Sequence, residues 1–248
     1  GQVRRYRHVA AGSALPTSSS ATEATVTLDA PIVLPAWLHA TASRPSSTDV
    51  ILRPSDPADD DSHNLRPGEA QQLRNRARQR GTLVHRLLQS LPDLAPSQRH
   101  DAAASYLARA AEDWSAAEQT ALTSQLLALI DDPRFAAVFA PGSRAEVAIA
   151  GRLKQNGRTL LVSGQIDRLV VRPDAVLIVD YKTNHAPPRS AADAPQPYVR
   201  QLALYRAVLA KLYPGRAVRA ALLWTELPEI MELSASALDA GLTSVISA

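Results

Sequence analysis

The chain contains no cysteine, which excludes disulfides, thiolate zinc sites and cysteine-bound iron–sulfur clusters from these 248 residues. Long apolar runs are missing as well: none reaches about 18 residues, so no membrane span is expected. The amino end, GQVRRYRHVAAG, has basic residues without an apolar core behind them and does not read as a signal peptide. A Gly-x-x-x-x-Gly-Lys-Ser/Thr loop is lacking, so these residues hold no nucleotide-driven motor. The single methionine is Met231, and a chain that opens on Gly1 reads as a piece of something longer. Net charge is only +3, which excludes a polycation, while a pI near 9.4 leaves room for a local basic surface.

What is present is 46% hydrophobic and large enough for one good core. Residues 1–66 are rich in Ser, Thr, Pro and Ala and lack periodicity, which is a linker composition; the island Ile32 to Leu38 reads as an apolar strap. From Pro67 the pattern turns helical and runs to about Leu91. Leu73, Leu83, Val84, Leu87, Leu88 and Leu91 supply its apolar stripe, and Arg74, Arg76, Arg78 and Arg80 load its first half with positive charge. Gly81 inside this helix hints at close packing or a break. Two further helices are expected, Ser97 to Ala110 and Ser115 to Ile130, each opened by a capping serine; Glu118 completes a capping box in the second.

Three strands follow. Leu160 to Val171 and Val176 to Tyr181 are joined across Arg172-Pro173-Asp174-Ala175, and Asn156-Gly157 is a strong turn signal one hairpin earlier. Tight turns centred at these points set Asp167 directly opposite Asp180 and Glu146 opposite Asp167. Glu146, Asp167, Asp180 and Lys182 would then share one face, with Tyr181 pointing away. Directly opposed like charges repel, and a cation between them would relieve that. Taken singly, a strand acid most often lies on a solvated face. Asp180, however, ends the apolar run Ala175 to Val179, where an unpaired carboxylate is costly. A helix from Pro197, strands at Ala217 to Thr225 and Ile230 to Leu233, and a closing helix from Ser234 or Ser236 complete an α/β reading: a mixed sheet flanked by helices, with a helical part before it.

At Gly164-Gln165-Ile166-Asp167-Arg168 and Ile178-Val179-Asp180-Tyr181-Lys182-Thr183-Asn184 the chain closely resembles the RecB-type branch of the PD-(D/E)XK nucleases. The resemblance extends to Gly81-Thr82-Leu83-Val84-His85, Arg144-Ala145-Glu146 and Gln201-Leu202-Ala203-Leu204-Tyr205-Arg206, and covers roughly residues 67 to 233. It is nearest to the nuclease domains of the AddA family of helicase–nucleases. What it implies is a restriction-endonuclease-like core over 67–248 and a link from a preceding helicase body over 1–66. The metal ligands would be His85, Asp167, Asp180 and the backbone carbonyl of Tyr181. Asp167, Asp180 and Lys182 would be catalytic, with Lys182 assisting the attacking water. Glu146 would play a supporting role. Gln201 and Tyr205 would orient substrate and site, and with Arg80 and Arg86 would contact DNA. The implied cofactor is Mg²⁺, with Mn²⁺ or Ca²⁺ substituting in binding. The implied partners are single-stranded DNA ends fed by the chain's own helicase and an AddB-type subunit, in the bacterial cytoplasm.

The residues fit this chemistry without the name. Hard carboxylate oxygens suit Mg²⁺ or Mn²⁺, which lower the pKa of bound water and clamp a phosphate. Arginines on the first helix suit phosphate contacts. Two readings of other kinds remain: a catalytically silent DNA-binding or docking module, and a nuclease acting on RNA, since such a site reads a phosphate and not a base.

Overall fold

A computed structural model describes residues 50–54, 67–155, 158–183 and 187–246. The apolar strap at 32–38 and the Asn156-Gly157 turn lie outside them. Ser46–Ala248 forms one compact unit.

The helical part comes first. Helix α1 spans Pro67–Ser90, α2 Pro96–Ala110 and α3 Ala116–Asp131. Helix α1 runs unbroken through Gly81, and a Cβ there would meet Thr183 Oγ1 at 3.4 Å, an ordinary contact that excludes the break and does not demand glycine. Leu83, Val84, Leu87, Leu88 and Leu91 are buried as the periodicity predicts, but Leu73 is exposed and outside the stripe. The α3 capping box forms as expected. The Ser115 hydroxyl accepts from the Glu118 N–H, and Glu118 accepts from the Ser115 N–H at 2.8 Å. Ser97 caps nothing: α2 starts at Pro96, with Ala95 in the cap position, because proline's fixed φ and missing N–H suit the first helical position.

The mixed sheet has six strands: β1 (Val50–Leu52), β2 (Arg144–Gln155), β3 (Arg158–Val171), β4 (Ala175–Lys182), β5 (Ala217–Trp224) and β6 (Glu229–Glu232). Their order is β1-β3-β4-β5-β6, with β2 on the other edge of β3. Strand β1 falls in the segment read as linker. Its run Val-Ile-Leu is too short to stand out by periodicity, yet it pairs parallel with Leu160–Val162. The predicted registers hold: β2 pairs antiparallel with β3 through Val147↔Ile166 and Gln155↔Arg158, and β3 with β4 through Arg168↔Val179 and Val171↔Val176.

Helices α4 (Gln196–Leu212) and α5 (Ala235–Ile246) cover one sheet face, burying Ile149, Leu160, Ile166, Ile178, Leu222 and Trp224. Helices α1–α3 cover the other face over Leu177, Val179 and Tyr181 of β4, Leu223 of β5, Ile230 of β6 and the Asp167–Arg168 end of β3. Close contact on the first face explains Gly151, where a Cβ would lie 2.5 Å from Val208 of α4. Gly151→Ala is therefore expected to destabilise by about 1–3 kcal/mol through overpacking. In a Val208→Ala background the cost should fall toward zero, as urea denaturation of the four variants of the cycle will show.

Candidate metal centre

The site lies where the β3–β4 ladder stops. Pairing ends at Arg168↔Val179, and Asp167 and Asp180 are not a ladder pair. The β2–β3 ladder likewise skips Glu146 and Asp167. Two local features explain this. Glu146 has φ 51°, a left-handed conformation that a non-glycine residue adopts at a cost. The alternation of β3 also slips by one residue. Ile166 and Leu169 both enter the α4-side core, whereas the consecutive Asp167 and Arg168 both reach α1. The expectation that all four charged residues share one face is corrected accordingly: Asp167 turns to α1, and Asp180 and Lys182 turn to α4.

On the α1 side, His85, Glu146 and Asp167 each offer a ligand atom, all within 4.8 Å of one another. His85 Nδ1 lies 3.3 Å from Asp167 Oδ1. The other Asp167 oxygen, Oδ2, accepts the Tyr181 N–H at 2.7 Å, taking the donor that a continued ladder would have offered to the β3 backbone. Burial works to lower the His85 pKa, but the hydrogen bond to Asp167 and the charges of Asp167, Asp180 and Glu146 raise it above its ordinary value. The Glu146 carboxyl is raised too, by partial burial and by Asp167. Two carboxylates and an imidazole this close repel unless a cation or protons join them, and a donor set of hard oxygens with one nitrogen suits a divalent cation.

On the α4 side, Asp180 is buried. Gln201 Nε2 donates to its Oδ1 at 2.9 Å, and Lys182 Nζ lies 2.8 Å from its Oδ2. Burial pushes the Asp180 pKa up against the pull of Lys182. Burial also disfavours the Lys182 ammonium, but the charge and hydrogen bond of Asp180 hold it protonated. Tyr198, in the first turn of α4, places its ring 3.8 Å from Lys182 Nζ, a cation–π contact that sequence reading missed. Tyr198, Gln201 and Tyr205 lie three and four residues apart, so helical spacing alone sets them on one face.

Tyr205 is fully buried, and its hydroxyl accepts from the Gln165 N–H at 3.3 Å. Gly164 makes room for that ring, because a Cβ there would lie 2.1 Å from the hydroxyl. Gln201 and Tyr205 therefore position Asp180 and β3 from inside; neither presents a surface for the DNA contact read for them. The Tyr181 side chain points away from Asp180, as expected, into the α1–α3 core, where its ring meets His85 edge-on at 5.6 Å.

Arg168, unremarked in sequence beyond its motif, is wholly buried. It donates to the Leu88 carbonyl at 3.1 Å and to the Tyr181 hydroxyl at 3.4 Å, and its Nη1 has no hydrogen-bond partner among the described residues. It thereby ties α1, β3 and β4 together behind the acids.

The arginines of α1 are largely committed elsewhere. Arg80 is paired with Glu226 at 2.7 Å and donates to Gln125, so its guanidinium is taken up inside the fold. Arg76 bridges Asp113 and Glu118 and stacks on Trp114. That pairing, Arg76 first, holds the Glu118 carboxyl down at about 2. Arg86 is exposed, donates to Gln89 and contributes to the field at Glu146.

The mixed sheet flanked by helices thus carries a metal-competent acid–histidine cluster beside a buried Lys–Asp pair at its strand ends. Comparison with known families matches residues 61–240 to the PD-(D/E)XK nuclease superfamily, and the chain belongs to it. Among curated proteins none matches the chain. The crystal structure of SSO0001 aligns with 67% of this chain and 85% of its own, at 12% identity and a TM-score of 0.30. No helix of the described residues is long and apolar enough to cross a membrane.

Gln201→Leu would leave Asp180 Oδ1 buried without its donor, a loss expected to cost about 1–3 kcal/mol. The same change in an Asp180→Ala background should cost less, and thermal and urea melts of the cycle will measure the difference.

Proposed function

We propose that this domain is a Mg²⁺-dependent DNA nuclease that hydrolyses phosphodiester bonds of strands delivered by an attached helicase. The observation that carries it is the convergence of His85, Glu146 and Asp167 within 4.8 Å of one another, in a chain of this nuclease superfamily. Those three would hold the metal, and the reading retains Asp180 and the Tyr181 carbonyl as further ligands. Glu146 thereby moves from a supporting role into the donor set. A bound divalent cation supplies a water of lowered pKa and charge compensation at the phosphate.

The chain's own residues do the remaining work. Lys182, kept protonated beside Asp180, sets a fixed positive charge where the phosphate gains negative charge, and orients the attacking water. Gln201 and Tyr198 hold that pair in place from α4, so the ammonium pays little reorganisation during reaction. His85 is oriented by its contacts to Asp167 and the Tyr181 ring. Asp167 holds the Tyr181 N–H and so fixes the backbone between Asp180 and Lys182.

Placement in an AddA-type helicase–nuclease, with an AddB-type partner subunit and a role in double-strand break repair in the bacterial cytoplasm, is supported by five motifs in family order: Gly81 to His85, Arg144 to Glu146, Gly164 to Arg168, Ile178 to Asn184 and Gln201 to Arg206. On this reading the segment before β1 leads from the helicase body, while Val50–Leu52, read from sequence as part of the link, belongs to the nuclease sheet.

End-labelled single-stranded DNA is expected to be cut with Mg²⁺ or Mn²⁺ and left intact with EDTA. Asp167→Ala, Asp180→Ala and Lys182→Ala should each lower the rate by about 10² or more while circular dichroism stays native. Full activity in the Lys182 variant would sink the assignment of that residue. Strand binding without cleavage under every metal condition would favour a silent binding module. A matched RNA strand cut faster than DNA would overturn the choice of substrate.

A further inference from the structure

The two helical layers leave part of the sheet uncovered. Helices α4 and α5 take the face bearing Ile149, Leu153, Leu160 and Val162, whereas α1–α3 cover β4, β5 and, of β2 and β3, the end at Glu146, Asp167 and Arg168. Alternation therefore turns the remaining side chains of β1, β2 and β3 outward on the side of α1. On β2 these are Ala148, Ala150, Arg152 and Lys154, all exposed; on β3, Ser163 and Gln165 are exposed and Leu161 is half-buried; Ile51 of β1 and Arg53, just past its end, are exposed. Continued along the same strands, this face ends at Glu146 and Asp167, beside His85.

The charges on this face are sorted. Arg53, Arg152 and Lys154 stand at one end and the carboxylates at the other, with small or polar side chains between. None of the three cations is paired with a carboxylate among the described residues, unlike Arg76 and Arg80 of α1. Ile51, Arg53, Ala150, Arg152, Leu161 and Ser163 line a shallow depression of about 460 Å³ at the cationic end. From Leu161 to Asp167 the strand rises ~20 Å, a distance that takes in several nucleotides of an extended strand.

We infer that this open face is the track by which a single DNA strand reaches the carboxylate cluster, its phosphates held by Arg53, Arg152 and Lys154. The inference rests on the nuclease reading above. Among the described residues the face carries no aromatic side chain to stack a base, so the contacts are to the backbone and carry no sequence preference. The small floor of Ala148, Ala150 and Ser163 lets the strand lie close to the sheet. Repulsion by Glu146 and Asp167 at the far end is what the metal would relieve, so binding along the track and metal loading support one another.

The test is fluorescence anisotropy of a labelled oligothymidylate of about 20 nucleotides against the 248-residue chain, with Ca²⁺ and across a salt series. Each phosphate contact to a single strand contributes about 0.7 to the slope of log affinity against log salt. The Arg53→Gln/Arg152→Gln/Lys154→Gln variant is expected to lose about 2 in slope and to bind about tenfold more weakly. Its Mn²⁺ affinity should match the parent, and so should its cleavage rate at saturating strand. Removing two exposed arginines elsewhere, Arg109→Gln/Arg172→Gln, should move the slope by less than half as much. A triple variant with the parent's slope and affinity would overturn the track while leaving the nuclease intact. A parent chain that neither binds the strand with Ca²⁺ nor cuts it with Mg²⁺ would overturn the nuclease reading itself.

Discussion

The site depends on a break in the sheet. Had the ladders continued, Glu146, Asp167 and Asp180 would sit directly opposite one another on three adjacent strands, with like charges a few ångströms apart. Unit charges at about 4 Å repel by ~4 kcal/mol at an effective dielectric of about 20, which is comparable to a large share of a domain's stability. The left-handed backbone at Glu146 and the slipped alternation at Asp167 instead turn Glu146 and Asp167 together toward His85, on the face opposite Asp180. Asp167 then takes the Tyr181 N–H, so the break leaves that donor satisfied.

With Asp180 on one face and Glu146 and Asp167 on the other, each side of the sheet supplies its own counter-charges. On the α1 side the imidazole of His85 meets Asp167 and Glu146; on the α4 side Lys182 and Gln201 meet Asp180. Breaking a buried ion pair by removing one partner costs about 3–5 kcal/mol, so Lys182 and Asp180 hold each other's charge state as well as position. Arg168 adds a buried positive charge behind the acids, on the α1 side of the sheet. Its bonds to the Leu88 carbonyl and the Tyr181 hydroxyl link the helix that carries His85 to the strand that carries Asp180 and Lys182. The site is thus preorganised by side chains that a substrate need never touch.

The same division of labour governs the basic residues. The first half of α1 is rich in arginine, but Arg76 and Arg80 spend their charge binding the helical layer to itself and to the Glu226 turn. Exposed cations without a carboxylate partner among the described residues, Arg53, Arg152 and Lys154, stand where the helical cover is missing, beside β1 and on β2. A basic run in sequence therefore says less about nucleic-acid contact than the pairing of each charge in the fold.

Much was settled by the sequence alone, through local rules. Proline positions and the Ser115–Glu118 box set the helix ends, turn signals pointed to registers that the β2–β3 and β3–β4 pairings match, and motif order named the acids and the lysine. Those features depend on neighbours a few residues away. Tertiary structure decided the rest. Strand β1 needed a partner more than a hundred residues later; Tyr198 acquired a role only when α4 docked over Lys182. Gln201 and Tyr205 became internal supports because α4 packs its polar stripe against the sheet. Strand period predicted one shared acidic face, and only the backbone break at Glu146 and Asp167 could divide it, because alternation holds just as long as the ladder does.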